Sequence, residues 1–193
     1  VVGTRAMEIP TADEGIITSY AKAVDDLAGA MGENTRTISL ITPNGGEFYS
    51  PESLHTGLHS QKDMIDLCYS KMAPNIVTVD AYAKLRNHTD EYIYFRTDHH
   101  WTQLGAYYAY TAFCEAAGFE AREIETTGGV WRIDMTKCPY HDACVHYGCP
   151  ELCPCFCDSD DITYDDLHPD LLWRRTRTLG RGDDCCDFCL KLR

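Results

Sequence analysis

Apolar side chains recur at three- and four-residue steps through Ile17, Tyr20, Val24, Leu27 and Met31. That period predicts a helix with Lys22, Asp25 and Asp26 turned to solvent and Gly32 at its end. Residues 37–42 read as a buried strand, closed by the turn sequence Pro43-Asn44-Gly45-Gly46. A second helix is predicted from Ser60, with Met64, Leu67, Cys68 and Met72 on one side. A strand at 76–79 and a short helix through Leu85 follow, and Tyr92 to Phe95 form a third short extended segment. From Thr97 onward, Trp101, Leu104, Tyr108 and Ala112 predict a long amphipathic helix ending at Gly118. Strands alternating with helices imply a small, mostly parallel sheet with helices on its faces.

The pattern changes further along the chain. Val130 to Ile133 alternate like a strand, and a helix-like piece runs from Cys138 to Tyr147. A cysteine-dense stretch fills 149–160, where Cys153, Cys155 and Cys157 would point to one side if extended. Leu171 to Leu179 alternate arginine with apolar or hydroxyl side chains, and Cys185 to Leu192 form a closing strand. The Gly- and Asp-rich turn at 180–184 joins these two segments into a predicted C-terminal hairpin.

Composition places the chain among globular proteins: 193 residues, 44% hydrophobic and 24% charged. The net charge of −13, from 17 basic and 30 acidic groups, excludes a nucleic-acid or anionic-membrane partner, since phosphates would be repelled. No stretch approaches the roughly 18 apolar residues of a membrane-spanning helix. The opening Val-Val-Gly-Thr-Arg lacks both an initiator Met and a basic-then-apolar leader, which suggests a processed or truncated product without a secretory signal. Of 11 cysteines, only Cys68 and Cys114 precede residue 123. Acidity does not mark the same break, with 9 basic against 16 acidic groups in 1–122 and 8 against 14 in 123–193. Cysteine alone separates two modules, 1–125 and 126–193, at the Thr-Thr-Gly-Gly turn of 126–129. The expected class is α/β: a partial parallel sheet with flanking helices, then a small Cys-rich α+β module.

Candidate chemistry in the first module lies at Arg96-Thr97-Asp98-His99-His100-Trp101, where a strand is expected to hand over to a helix. Asp98 can orient the His100 ring and stabilise its imidazolium. The competing reading is that Thr97 or Asp98 caps the helix while the histidines pack beside Trp101. The run Thr97 to Thr102, followed by Leu104-Gly-Ala-Tyr-Tyr-Ala-Tyr110, resembles the signature of the bacterial DHHW family. The likeness extends upstream through Ile41 to Asn44, Glu47 to Tyr49 and Val77 to Asp80, covering roughly residues 7–122. That family is similar to SGNH-type hydrolases and alginate O-acetyltransferases. The resemblance implies Asp98 as orienter, His100 as general base and Trp101 as a packing neighbour, serving a serine placed later in the chain. Here the only later serine is Ser159, without a Gly-x-Ser or Gly-Asp-Ser turn, so the first module reads as an incomplete, inert SGNH-like half.

Three accounts of the clustered cysteines stand side by side. Disulfides need an oxidising compartment, and an odd count leaves one thiol over. Thiolates suit a structural zinc, but paired Cys-x-x-Cys knuckles are missing and only Cys186 and Cys189 have that spacing. Reduced thiols would pack as small hydrophobes, one or two of them activated by Arg174, Arg175 or Arg177. Thr136 to Tyr140, Leu152 to Asp158, Asp160 and Arg175 to Phe188 together resemble the C-terminal part of the L-2-amino-thiazoline-4-carboxylate hydrolase family, over about 129–192. The resemblance implies hydrolysis at a carbon–nitrogen bond that opens a small cyclic amidine acid. It carries over Cys157 and Cys186 as nucleophile or ligand, Asp160 as water activator and Arg175 as holder of the substrate carboxylate. Gly182 would serve the turn and Phe188 the core. Family members carry a helical portion ahead of this segment, and an unrelated module is expected in its place here.

The expected function is therefore hydrolysis of a small-molecule substrate of the thiazoline-carboxylate class, with no cofactor. An Asp98–His100 carbohydrate esterase or O-acetyltransferase is the second reading, and a cysteine-rich module binding a ligand or zinc without turnover is the third. Unpaired thiols favour the cytoplasm, whereas the DHHW-like half favours an exported or envelope location.

Overall fold

The computed structural model describes residues 1–8, 10–55 and 60–193. The chain divides into two compact units, Val1–Ala116 and Ala117–Arg193. The division falls ahead of residue 126 because Glu120–Glu125 is a strand that pairs with Val130–Lys137, and so belongs to the second unit.

The first unit is α/β. Helix α1 (Glu14–Met31) starts where the Asp13 carboxylate accepts from Ile16 N at 2.8 Å, satisfying a donor that the helix itself cannot. Strand β1 (Ile38–Leu40) is followed by the short helix α2 (Gly45–Tyr49), α3 (Gln61–Lys71), β2 (Val77–Val79), α4 (Ala81–Arg86) and α5 (Gln103–Ala117). The β1 and β2 strands pair in parallel, Ile38 opposite Val77 and Leu40 opposite Val79. Ser60 caps α3 and Asp80 caps α4. Ile17, Ala21 and Ala28 of α1 pack with Cys68, Met72 and Ile76, so the buried stripe of α1 lies one position round from the expected one. Tyr20, Leu27 and Met31 are exposed, and small alanines take the tight positions instead.

Two expectations are corrected here. The sequence at 43–46 is a helix start as well as a turn: the Asn44 side chain accepts from Gly46 N at 2.8 Å and opens α2. Tyr92 to Phe95 form no regular strand, and α5 does not begin near Thr97. Ile93 and Tyr94 are buried, Thr102 N donates to Ile93 O at 2.9 Å, and Phe95 N donates to His100 O at 3.2 Å. Residues 95–100 are thereby folded into a tight loop. The cap is the Thr102 hydroxyl, which accepts from Gly105 N at 3.3 Å, so neither Thr97 nor Asp98 caps the helix.

The second unit is α+β, with an antiparallel sheet in the order β3-β4-β6-β5. Its strands are β3 (Glu120–Glu125), β4 (Val130–Lys137), β5 (Leu171–Arg174) and β6 (Cys186–Leu192), and its helices are α6 (Pro139–His146) and α7 (Cys153–Tyr164). The C-terminal hairpin pairs Leu171 with Leu192 and Arg174 with Cys189. Gly182 adopts φ 91° in the connection, a conformation that glycine reaches without a Cβ clash. Cross-strand partners share a face. Trp131, Leu190 and Trp173 therefore lie together, as do Ile133 with Phe188 and Met135 with Cys186. This apolar face meets α7, where Trp173 Nε1 donates to Asp161 Oδ1 at 2.8 Å and the Trp173 ring lies tilted against Tyr164 with centroids 4.8 Å apart. The other face carries Arg132, Cys189 and Arg174 in one row.

The cysteine run at 153–157 is helical. Cys153 and Cys157 sit one turn apart on a buried face, and Cys155 points to solvent. Among the described residues no helix is long and apolar enough to cross a membrane.

Candidate active site

In the first unit Asp98, His99 and His100 project from the 95–100 loop, all exposed. His100 Nδ1 lies 2.5 Å from Asp98 Oδ1, and His100 N donates to the same oxygen at 2.8 Å. The backbone donor first, and the ring second, hold the Asp98 carboxyl below its ordinary range. Ligand atoms of these three side chains lie within 4.8 Å of one another, and no other such group of His, Cys, Asp or Glu occurs among the described residues. The dyad expected from the sequence is thus geometrically formed. Ser159, the one later serine, donates to Phe156 O at 2.7 Å within α7 of the other unit.

In the second unit the structure gathers Cys157, Asp160, Arg175 and Cys186. The Arg175 side chain is only 1% exposed. Its Nη2 donates to Cys157 O at 2.6 Å and to Asp161 Oδ2 at 2.7 Å, and its Nη1 donates to Asp160 Oδ2 at 3.1 Å. The guanidinium therefore ties strand to helix. Burial raises the Asp160 carboxyl above its ordinary value, against the opposing pull of Arg175. Gly180 presses on the thiols so closely that a Cβ there would lie 2.9 Å from Cys153 Sγ and 3.0 Å from Cys157 Sγ. All 11 cysteines are unbridged. Cys144, Cys153 and Cys157 form a buried cluster. Burial, reinforced by Cys157 and Cys138, pushes the Cys186 thiol up to about 11 despite the Leu179 N–H directed at its sulfur; burial raises Cys138, Cys144, Cys153 and Cys185 as well.

The opposite face of the same sheet holds a cleft of about 440 Å3 that the sequence reading did not single out. Arg132, Arg174, Arg177, Asp187 and Cys189 line it, with Arg175 and Thr176 at its side. Arg177 is neutralised by Asp184 at 2.7 Å, and Asp134, a buried acid, draws Arg122 to 3.2 Å and Arg132 only to 3.7 Å. Arg174 has no carboxylate partner among the described residues. Burial would raise Asp187, but donors from Thr176 and the Arg177 backbone outweigh it and hold the carboxyl below its ordinary range. The first unit has a hollow of similar size, about 470 Å3, lined largely by Pro10, Ile16, Ile17, Leu40, Met64 and Ile65. It lacks any charged side chain to meet an ionic ligand. The alternation of arginines at 171–177 was visible in the sequence; what it lacked was the pairing register, which sets Arg174 beside Cys189.

A DHHW family protein from Eubacterium siraeum DSM 15702 is 37% identical over 56% of this chain and 38% of its own, with a TM-score of 0.49. Bacillus cereus PatB1, solved with a sulfonyl adduct, is 17% identical over 64% of this chain and 48% of its own, also at 0.49. The chain thus spans less than half of either solved structure. No curated protein matches it. The family model described as L-2-amino-thiazoline-4-carboxylic acid hydrolase matches residues 61–190. That match opens at α3, well ahead of residue 129, so the helices α3, α4 and α5 fall within it and the expected break in family likeness is not there. It also takes in the whole of the arginine-lined cleft. With two thirds of its length inside that match, this chain belongs to the L-2-amino-thiazoline-4-carboxylic acid hydrolase family.

Proposed function

We propose that this protein is a hydrolase that opens a small cyclic amidine acid of the aminothiazoline-carboxylate type, in the cleft on the arginine face of its C-terminal sheet. Overall one water is consumed: the ring carbon–nitrogen bond breaks, the amidine carbon gains the oxygen, and the nitrogen leaves with a proton. The observation that carries the reading is the unpaired Arg174 across from Arg132, in a chain of net charge −13. Arg174, with no carboxylate partner among the described residues, and Arg132, held only at 3.7 Å by Asp134, suit a carboxylate, which guanidinium groups can grip through paired N–H donors. Asp187 in the same cleft supplies a negative charge for the protonated amidine, so both ends of a zwitterionic substrate find a counter-charge. Arg175, fully engaged with α7, acts as a positioning residue, and the buried thiols of Cys157 and Cys186 hold the layer behind the sheet. The test is turnover of L-2-amino-thiazoline-4-carboxylate followed by NMR, beside 2-aminothiazoline lacking the carboxylate. The acid should be opened at least tenfold more efficiently, in line with the roughly 1.5–3 kcal/mol of a charged hydrogen-bonded pair. Equal turnover of both, or of neither, overturns the reading.

A second reading rests on the 2.5 Å contact between Asp98 and His100, an oriented base suited to ester hydrolysis. Acetate release from an acetylated sugar, abolished in His100→Ala, would support it; release unchanged in that variant would remove it.

A further inference from the structure

The row Arg132–Cys189–Arg174 crosses three strands with the thiol in the centre, each arginine directly opposite Cys189 in the pairing register. Directly opposed residues of antiparallel strands keep their Cβ atoms about 4.5–5.5 Å apart, so both arginines are rooted beside Cys189 on the face that lines the cleft. Cys189 is half-buried and opens on the 440 Å3 cleft, unlike Cys144, Cys153, Cys157, Cys185 and Cys186, which are closed off. Cys155 is exposed, but on the solvent side of α7 and away from the cleft lining. We propose that Cys189 is the nucleophile of this cleft and that Arg132 and Arg174 select carboxylate-bearing electrophiles for it.

The proposal deepens, and for its substrate rests on, the ring-opening reading above. Cys189 Sγ adds to the amidine carbon; the ring carbon–nitrogen bond breaks, and its electron pair leaves on nitrogen, which takes up a proton. The carbon, now joined to two sulfurs and an imine nitrogen, adds one water and expels Cys189 Sγ with the bonding pair. One water is consumed per turnover, the thiol is regenerated, and no oxidant or reductant is needed.

The experiment treats the reduced, full-length protein at low salt with iodoacetate or with neutral iodoacetamide and maps the modified cysteines by mass spectrometry. In either reaction the thiolate displaces iodide and forms a sulfur–carbon bond. The iodoacetate-to-iodoacetamide rate ratio at Cys189 should exceed that at Cys155 by about fivefold or more, because paired cations concentrate the anionic reagent. Raising salt to about 0.5 M should collapse the excess, as should Arg132→Gln with Arg174→Gln. Equal ratios at the two cysteines, an excess insensitive to salt, or no modification of Cys189 overturns the proposal. Alkylation reads the thiol without any turnover, so a protein that shows the preference but leaves the thiazoline acid intact would refute the function and keep the site. Turnover that persists in Cys189→Ser would do the reverse.

Discussion

Arg175 Nη2 and Asp161 Oδ2 meet at 2.7 Å across 14 residues of chain, the guanidinium almost wholly buried and the carboxylate half exposed. The cation also serves Asp160 and the Cys157 carbonyl, so the two partners are unequal. Removing the arginine strips several donors at once from the join between β5 and α7. Removing Asp161 leaves the cation with two acceptors.

Arg175→Met should therefore destabilise the protein by about 2–3 kcal/mol, against about 1 kcal/mol for Asp161→Asn. Urea denaturation of both variants measures the difference, and similar costs would show that the guanidinium is not the hub.

Gly180 offers a second test of the same layer. An added methyl would press on Cys153 Sγ and Cys157 Sγ in a closed space, so Gly180→Ala should cost about 1–3 kcal/mol. Adding Cys157→Ala opens room for that methyl, and the double variant should lose less than the sum of the single losses, a coupling of at least about 0.5 kcal/mol.

The buried thiols give stability a basic limit. In an unfolded chain a thiol ionises near pH ~8.5, while burial holds the Cys186 proton up to about 11. Its contribution is fully present below the unfolded value and is lost as pH rises through the folded one, because the unfolded state gives up the proton first. Tm measured from pH 7 to 11 should fall across that window, and Cys186→Ala should flatten the fall. An unchanged slope in the variant would mean that Cys186 is not held protonated.

How far the sequence announces this architecture depends on the element. The C-terminal hairpin was legible because two period-two segments flank a Gly- and Asp-rich turn, and the structure pairs them. The parallel pair of β1 and β2 was legible from two short apolar runs set between helical stretches. Strand β3 was hidden, since every residue of Glu120–Glu125 is exposed and an edge strand without a buried face shows no alternation. Helix α7 was hidden because Pro154 near its start and a run of cysteines resemble a loop; proline is nevertheless tolerated in a first helical turn. The Asp98–His100 contact could be read from a two-residue spacing. The arginine row could not, because it joins positions over 40 residues apart whose register is set by the whole sheet.

The account stands on the arginine face being where substrate binds, and Arg174 tests that most directly because no carboxylate among the described residues depends on it. Steady-state turnover of L-2-amino-thiazoline-4-carboxylate, compared between the parent protein and Arg174→Gln, should show KM raised about tenfold or more with the fold intact by circular dichroism. An unchanged KM in a variant that still turns over would place the substrate elsewhere.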